Sequence, residues 1–276
     1  MSKDLLRQTR DYFKAQGIAE TDASILLEHV LQCSRSEVQL KLLRMSNEEV
    51  DEIDRSLRRM VLRRQNGEPV QYITGKAPFR YLEYSVGPGV LIPRPETETL
   101  VSIVLATLKK LPKSNIVDLG SGSGCIAISL ATEQPSFRIT AVENSKSALF
   151  WLRKNVLELA PQVSIVAMGV QTACKGQLFD LVVANPPYIP MVEVLPLEVR
   201  KEPAEALFGG SIDGIKTPEL FVRAAKRLLK SGGLLAMEHH ETQGAAISHL
   251  LASEFVEIAT INDLNGRPRF TTARKN

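Results

Sequence analysis

The chain is short of several things that would place it in an easily named class. Only three of its 276 residues are cysteine. Cys33, Cys125 and Cys174 are spaced for neither a disulfide framework nor a zinc site, so they read as small apolar side chains in a reducing compartment. No apolar run approaches the roughly 18 residues of a membrane span. The first ten residues are charged and lack the apolar stretch of a signal peptide. Charge of one sign is scarce as well. The formal net charge is +3, well short of the dense basic stripe of a dedicated nucleic-acid binder. There is no internal repeat and no low-complexity segment. These absences lead us to expect a cytoplasmic protein, not bound to membrane and without a stable nucleic-acid partner. What is present is ordinary globular material, 44% hydrophobic and 24% charged. The length exceeds one average domain and suits one large core with a smaller appendage.

Residues 1–70 read as helical throughout. Ala23, Leu26, Leu27, Val30 and Leu31 share one helical face. Ser46 and Glu49 form a capping-box pattern ahead of a second amphipathic stretch carrying Val50, Ile53, Leu57, Met60 and Val61, which Gly67 and Pro69 end. Residues 71–93 change character: Phe79, Tyr81, Tyr84 and Val86 alternate with polar residues among glycines and prolines, which predicts a β-hairpin linker. From residue 94 to 276 strand and helix alternate, with apolar runs at 116–119, 139–142, 163–167, 181–184 and 234–237 and helical stretches such as 145–159 and 216–229. This predicts a mostly parallel, doubly wound α/β sheet covered on both faces. The last two runs, 256–261 and 269–272, are joined by a turn at Asn265-Gly266 and must be antiparallel. A terminal antiparallel hairpin on such a sheet is the usual class I methyltransferase variant, seven-stranded here.

The first strand of that region leads into Asp118-Leu119-Gly120-Ser121-Gly122-Ser123-Gly124, and a helix follows at once. Glycines let the chain turn tightly and let a ligand approach the backbone, and the helix start offers free N–H groups. A lone Gly-x-Gly-x-Gly is compatible with a plain turn. Here the next strand ends in Glu143, an acid about 20 positions on that can take both ribose hydroxyls of a nucleoside. Asp118 would repel a pyrophosphate but suits an ammonium group. Together these favour S-adenosylmethionine over a nicotinamide cofactor, held by Asp118, Gly120, Ser121, Gly122, Ser123, Gly124 and Glu143, with Asn185 also touching it.

The fourth strand runs straight into Asn185-Pro186-Pro187-Tyr188, where a doubly wound sheet binds its ligands. An amide or aromatic amino nitrogen is a poor nucleophile because its lone pair is delocalised. Asn185 can accept one N–H through its side-chain oxygen, and the Pro186 carbonyl can accept the other. The prolines, Pro187 included, pre-position both acceptors, and Tyr188 can pack on the flat face of the target. Holding nucleophile and methyl in line supplies the rate, with no general base needed before attack. Asn185, Pro186 and Tyr188 are therefore the expected catalytic residues.

With these residues the chain resembles the bacterial release-factor glutamine N5-methyltransferases over nearly its whole length. The likeness includes Asp22-Ala23, Leu27-Glu28-His29, Gly67-Glu68-Pro69-Val70, Glu202-Pro203 and Asp213-Gly214. Its most discriminating stretch is Ile92-Pro93-Arg94-Pro95-Glu96-Thr97-Glu98, which separates these enzymes from relatives that methylate a ribosomal protein. The resemblance implies methyl transfer from S-adenosylmethionine, leaving S-adenosylhomocysteine, to the glutamine of the Gly-Gly-Gln tripeptide in class I peptide chain release factors. It implies that Gly120, Gly122, Gly124 and Glu143 hold the cofactor, that Asn185 and Pro186 hold the glutamine amide with Tyr188 beside them, and that the helical domain helps to recognise the release factor. There are departures. Gly169 and Val170 stand where the family usually has an Asp and often an aromatic near the adenine. Glu143 replaces a common Asp, and the segment Met237-Glu238-His239-His240 has a histidine where a glycine is common.

Arg94 and Glu96 read either as a structural ion pair or as substrate-side residues of the active site. His239 and His240, adjacent on a strand, face opposite ways and make a poor metal pair, so no metal is expected. Arg58, Arg59, Arg63 and Arg64 read as a solvated helix face, and Trp151 as a packing anchor. A monomer is expected. The alternative function is N6-adenine methylation of DNA or RNA, which Asn-Pro-Pro-Tyr serves equally well. The small helical domain and low charge weigh against it. A non-catalytic cofactor-sensing module is a further alternative, opposed by the completeness of both motifs.

Overall fold

The computed structural model describes residues 5–109, 111 and 113–276, so the first four residues of the expected helical stretch lie outside the described part. The chain divides into two compact units. One is the chain up to Gly75 together with Pro196–Lys201, and the other is Lys76–Leu195 with Glu202–Asn276.

The first unit is helical: α1 (Leu5–Ala15), α2 (Glu20–Leu31), α3 (Val38–Arg44), α4 (Asn47–Gln65) and α5 (Val70–Thr74). The capping box starts α4 as the sequence predicts. Ser46 Oγ accepts the Glu49 N–H at 3.3 Å, and the Glu49 carboxylate accepts the Ser46 N–H at 2.7 Å. Phe13, Leu26, Leu27, Leu57 and Val61 are buried in one cluster. The arginine face of α4 is only partly solvated. Arg58 and Arg63 make surface pairs with Asp54 and Glu68. Arg64 is turned inward, its side chain 12% exposed, and ion-pairs with both Asp22 and Glu198. The expectation of a solvated face therefore fails at Arg64, because the buried Asp22 carboxylate needs a partner.

The second unit opens with a hairpin, β1 (Lys76–Phe79) and β2 (Leu82–Ser85), paired antiparallel. The expected linker hairpin began at 71, but 71–74 belongs to α5, a single turn closed by Gly75 in the left-handed conformation. Then come α6 (Thr97–Thr107), β3 (Asn115–Leu119), α7 (Cys125–Glu133), β4 (Arg138–Glu143), α8 (Lys146–Leu159), β5 (Ser164–Ala167), β6 (Phe179–Ala184), α9 (Ala204–Leu207), α10 (Lys216–Leu228), β7 (Leu229–Glu238), α11 (Gly244–Leu251), β8 (Phe255–Asn262) and β9 (Pro268–Lys275). The seven-stranded sheet has the order β5-β4-β3-β6-β7-β9-β8. It is parallel from β5 to β7, and β9 runs antiparallel to both β7 and β8. Its middle strands are almost wholly apolar, with Ile116, Val117, Leu119, Val142, Val182, Val183 and Leu235 all buried, as a sheet covered on both faces requires. The last parallel strand starts five residues before the apolar run at 234–237. Its register slips opposite Phe179 and Leu181, so residues 230–233 bulge around Gly232 and Gly233. Among the described residues no helix is long and apolar enough to cross a membrane.

The register positions the site. Leu119 pairs with Val142 on one side and Ala184 on the other, and Ala184 pairs with Met237. The residues that follow these partners, Gly120, Glu143, Asn185 and Glu238, therefore stand side by side along the carboxyl edge of the sheet. The chain order reverses at β3, and this edge is where such sheets bind ligands.

Candidate active site

A cavity of about 410 Å³ opens at this edge. Its wall includes Gly120, Ser121, Gly122 and Ser123 of the glycine loop, Glu143 after β4, Met168, Val170 and Gln171 after β5, and Asn185 and Pro187 after β6. Val90, Leu91, Pro93, Arg94 and Thr97 close another side. Asp118, Gly124, Pro186 and Tyr188 lie within two residues of the wall in sequence without being part of it, and Glu96 is exposed and off it.

The loop is held open from the β4 side. The Gly120 and Ser121 N–H groups both donate to the Val142 carbonyl at 2.9 Å. The Glu143 carboxylate accepts the Gly122 N–H at 2.8 Å through one oxygen, and the Asn144 and Ser145 N–H groups at 2.7 and 2.8 Å through the other. Both oxygens are thus fixed in direction; Oε1 has both lone pairs engaged, and Oε2 keeps one for a hydroxyl donor. Gly122 has φ +56°, and a Cβ placed there would meet nothing within 4 Å, so its backbone fronts open space. Gly124, φ +85°, serves packing instead: a Cβ would come within 2.7 Å of Leu152.

Asp118 is fully buried, and neither of its side-chain oxygens has a hydrogen-bond partner of good geometry. Burial pushes its carboxyl up to about 7, against a weak pull from Ser121 and the Ala127 N–H. An unpartnered buried carboxylate is costly unless a cation completes it, and Asp118 lies two residues before Gly120 of the cavity wall. The donor set therefore fits a nucleoside carrying an ammonium group: a carboxylate for the cation, a second carboxylate for a hydroxyl, free backbone at the helix start, and apolar Val170 and Met168 for a base.

The other end of the cavity is built around Asn185. Its Nδ2 donates to Thr97 Oγ1 at 3.1 Å. Thr97 is the first residue of α6, and its hydroxyl donates to Glu238 Oε2 at 2.7 Å. The Tyr188 hydroxyl donates to Glu238 Oε1 at 2.9 Å. Glu238 is fully buried. Burial raises its carboxyl, while the two hydroxyl donors and the Arg269 guanidinium pull it down. Burial likewise holds the Tyr188 phenol above its ordinary value, and the Arg269 guanidinium lies 6.0 Å from the ring centre. The Tyr188 carbonyl accepts from Gln243 Nε2 at 3.0 Å, and the same nitrogen donates to Asp213 O at 2.8 Å. This fixes the course of the loop after the tetrapeptide.

Arg94 has a partner, but it is Glu202, not Glu96. Glu202 accepts from Arg94 at 2.6 Å and from the Ile92 N–H at 2.9 Å, which pins the loop carrying Leu91 and Pro93. His239 is buried with both ring nitrogens engaged, by the His240 carbonyl and the Thr271 hydroxyl. Among the described residues no group of three or more His, Cys, Asp or Glu is placed to hold a metal. The residues that sequence reasoning missed are Thr97, Glu238, Glu202 and Gln243. Three of them lay inside segments singled out for other reasons, and Gln243 carried no signal.

The chain matches two domain families: the PrmC N-terminal domain over residues 4–75 and the methyltransferase small domain over residues 97–196. The release factor glutamine methyltransferase of Bifidobacterium longum is 39% identical over 98% of this chain and 98% of its own length. That of Streptomyces coelicolor is 44% identical over 78% and 79%, and that of Corynebacterium glutamicum 36% identical over 99% and 98%. Two solved structures share the fold. A 16S rRNA N2 G1207 methyltransferase of T. thermophilus, in complex with AdoMet and guanosine, has a TM-score of 0.51 at 18% identity, covering 73% of this chain and 50% of its own. A methyltransferase from Pyrococcus furiosus has a TM-score of 0.51 at 17% identity, covering 70% and 88%.

Proposed function

The chain belongs to the family of release factor glutamine methyltransferases, and on that premise we propose that it transfers a methyl group from S-adenosylmethionine to the side-chain amide nitrogen of the glutamine in the Gly-Gly-Gln motif of class I release factors. The observation that carries this reading is the sharing of one cavity by the glycine loop, Glu143 and Asn185. The reading has the methyl donor and the amide acceptor meet in that one cavity.

The cofactor supplies an electrophilic methyl group. Asp118 takes its ammonium group, Glu143 a ribose hydroxyl, Gly120, Ser121, Gly122 and Ser123 its close backbone contacts, and Met168 and Val170 its base. Gly124 sets the helix behind. The chain's own contribution to chemistry is orientation. Asn185 Oδ1 accepts one N–H of the substrate amide. The Pro186 carbonyl, on which no hydrogen bond of the described residues ends, accepts the other. With both protons held in one plane, the nitrogen lone pair is directed towards the methyl. Pro187 on the cavity wall and the Tyr188 ring behind it limit the amide's freedom. Arg94, held by Glu202, lies on the substrate side of the wall. No residue has to remove a proton before attack, and the product loses its extra proton to water. The helical unit serves recognition of the release factor. The reading takes the enzyme as a monomer with a protein substrate, without metal, membrane or stable nucleic-acid partner.

The test is methyl incorporation from labelled S-adenosylmethionine into a class I release factor, into the same factor with the motif glutamine changed to alanine, and into unmethylated DNA. Label is expected on the first alone. Label on the alanine form, or on DNA in its place, would overturn the reading.

A further inference from the structure

Glu238 and Thr97 have no part in the reaction as just described, yet the direction of the hydrogen bond between them decides which way round Asn185 stands. A carboxamide is nearly symmetrical in shape, and only its partners distinguish the oxygen end from the nitrogen end. The reaction needs the oxygen end at the cavity, because an amide N–H of the substrate can meet only an acceptor.

Burial favours the proton on Glu238, but two hydroxyls and the Arg269 guanidinium face the carboxylate and favour its ionised form, and an ionised carboxylate has no proton to give. Glu238 meets two hydroxyls, Thr97 at 2.7 Å on one oxygen and Tyr188 at 2.9 Å on the other. Each hydroxyl has a single proton, and each must spend it on Glu238. The Thr97 oxygen then has only lone pairs left for its next neighbour, which is the Asn185 side chain at 3.1 Å. That neighbour must be the NH₂ end. A rotated amide would set oxygen against oxygen at Thr97 and NH₂ against NH₂ at the substrate.

We propose that Glu238 and Thr97 are positioning residues, a proton relay of fixed polarity that locks the Asn185 amide with Oδ1 towards the substrate and so sets the enzyme to bind an N–H donor. Glu238 lies 141 residues from Thr97 in sequence. Glu238 stands beside Asn185 because it follows Met237, the register partner of Ala184, and Thr97 reaches it because α6 packs against β7. The inference rests on the reading of Asn185 given above.

The test uses the full-length protein with Thr97→Val, Thr97→Ser and Glu238→Gln, each checked for cooperative thermal unfolding and for S-adenosylmethionine affinity by calorimetry. Thr97→Val keeps the shape and removes the hydroxyl. It is expected to lower kcat on the release factor by about tenfold to a hundredfold, with cofactor affinity and the KM for the release factor within about threefold. Thr97→Ser restores the hydroxyl and should return kcat to within about threefold of the unaltered enzyme. Glu238→Gln replaces one of the two acceptor oxygens by a donor, so that the Thr97 hydroxyl is no longer held to one direction; kcat should fall in the same sense as in Thr97→Val, and the double variant should be no worse than Thr97→Val alone. An unchanged kcat in Thr97→Val, or a Thr97→Ser as impaired as Thr97→Val, would overturn the relay. If Thr97→Val does not fold, Glu238→Gln decides by the same kcat reading. If the unaltered enzyme fails to label the release factor at all, it is the parent reading that falls, a result distinct from any of these.

Discussion

Asn155 holds Ser85 by both of its backbone groups: its Oδ1 accepts the Ser85 N–H at 2.7 Å and its Nδ2 donates to the Ser85 carbonyl at 3.0 Å. The same Nδ2 donates to the Ser123 carbonyl at 2.9 Å. One fully buried side chain on α8 thus ties the end of β2 to the glycine loop. Asn155→Ala strands these backbone groups and should cost roughly 2–4 kcal/mol in urea unfolding. Cofactor affinity should fall with it, since Ser123 is part of the loop. A variant as stable as the parent would show that water replaces the amide.

The buried Asp118 carboxyl makes ligand-free stability and cofactor binding depend on pH in opposite senses. Its folded-state value, about 7, lies above the ordinary 3.8. Its contribution to stability is therefore fully present below the ordinary value and is lost as pH rises through about 7. Asp118→Asn removes the penalty, so at a pH of about 8 the ligand-free variant should be more stable than the parent by up to about 4 kcal/mol. The same variant should bind S-adenosylmethionine more weakly, having no charge for the ammonium. In the parent, binding near neutral pH should release a proton, and affinity should rise as pH is raised through about 7. Calorimetry in buffers of different ionisation enthalpy reads the proton directly, and proton uptake would contradict the assignment.

Two glycines of the loop should respond differently to alanine. Both have positive φ, but only at Gly124 would the new Cβ collide, with Leu152 and Ile128. Gly124→Ala should cost roughly 2–4 kcal/mol in denaturant unfolding and Gly122→Ala only about 1–2 kcal/mol. Cofactor affinity should show the reverse emphasis relative to stability, because the space at Gly122 is where a ligand comes close. Equal stability losses would mean that the helix after the loop shifts to make room.

Asn185→Ala should abolish turnover on the release factor, a loss of about a thousandfold or more, and leave S-adenosylmethionine binding largely intact. Retained turnover would remove the amide clamp from the mechanism.

The parts of the site legible in the sequence are those written locally. Gly120, Gly122, Gly124 and Glu143 carry their meaning in strand-turn-helix spacing, and Asn185 in the strand that runs into it. The sheet was legible because β3, β4 and β6 are buried on both faces and read as continuous apolar runs. Thr97 and Glu238 were not, since their meeting with Asn185 depends on α6 packing against β7 and on β7 lying next to β6, facts of packing and strand order that no window of sequence contains. Glu96 drew attention beside Arg94, yet α6 starts one residue later and turns Thr97, not Glu96, towards the cavity. Residues 71–74 misled for another reason. Tyr72 and Ile73 are strand-favouring types, but their burial in a single turn of helix decides the matter. In β7 only the apolar run at 234–237 was legible, whereas the strand begins at Leu229 and absorbs Gly232 and Gly233 as a bulge.

The return of Pro196–Lys201 to the helical unit has a consequence for the order in which the protein is made. Arg64 waits for Glu198, and the space in front of Gly67 waits for Leu197. Between Gly75 and Pro196 lie the 120 residues from Lys76 to Leu195. At about 5–20 residues per second, a ribosome needs roughly 6–24 s to supply them. For that interval the first-synthesised part of the chain is one ion-pair partner short, and Gly67 lacks the Leu197 side chain that comes to lie against it. The N-terminal helices emerge first and are completed late, held in suspense by the synthesis of most of the catalytic sheet.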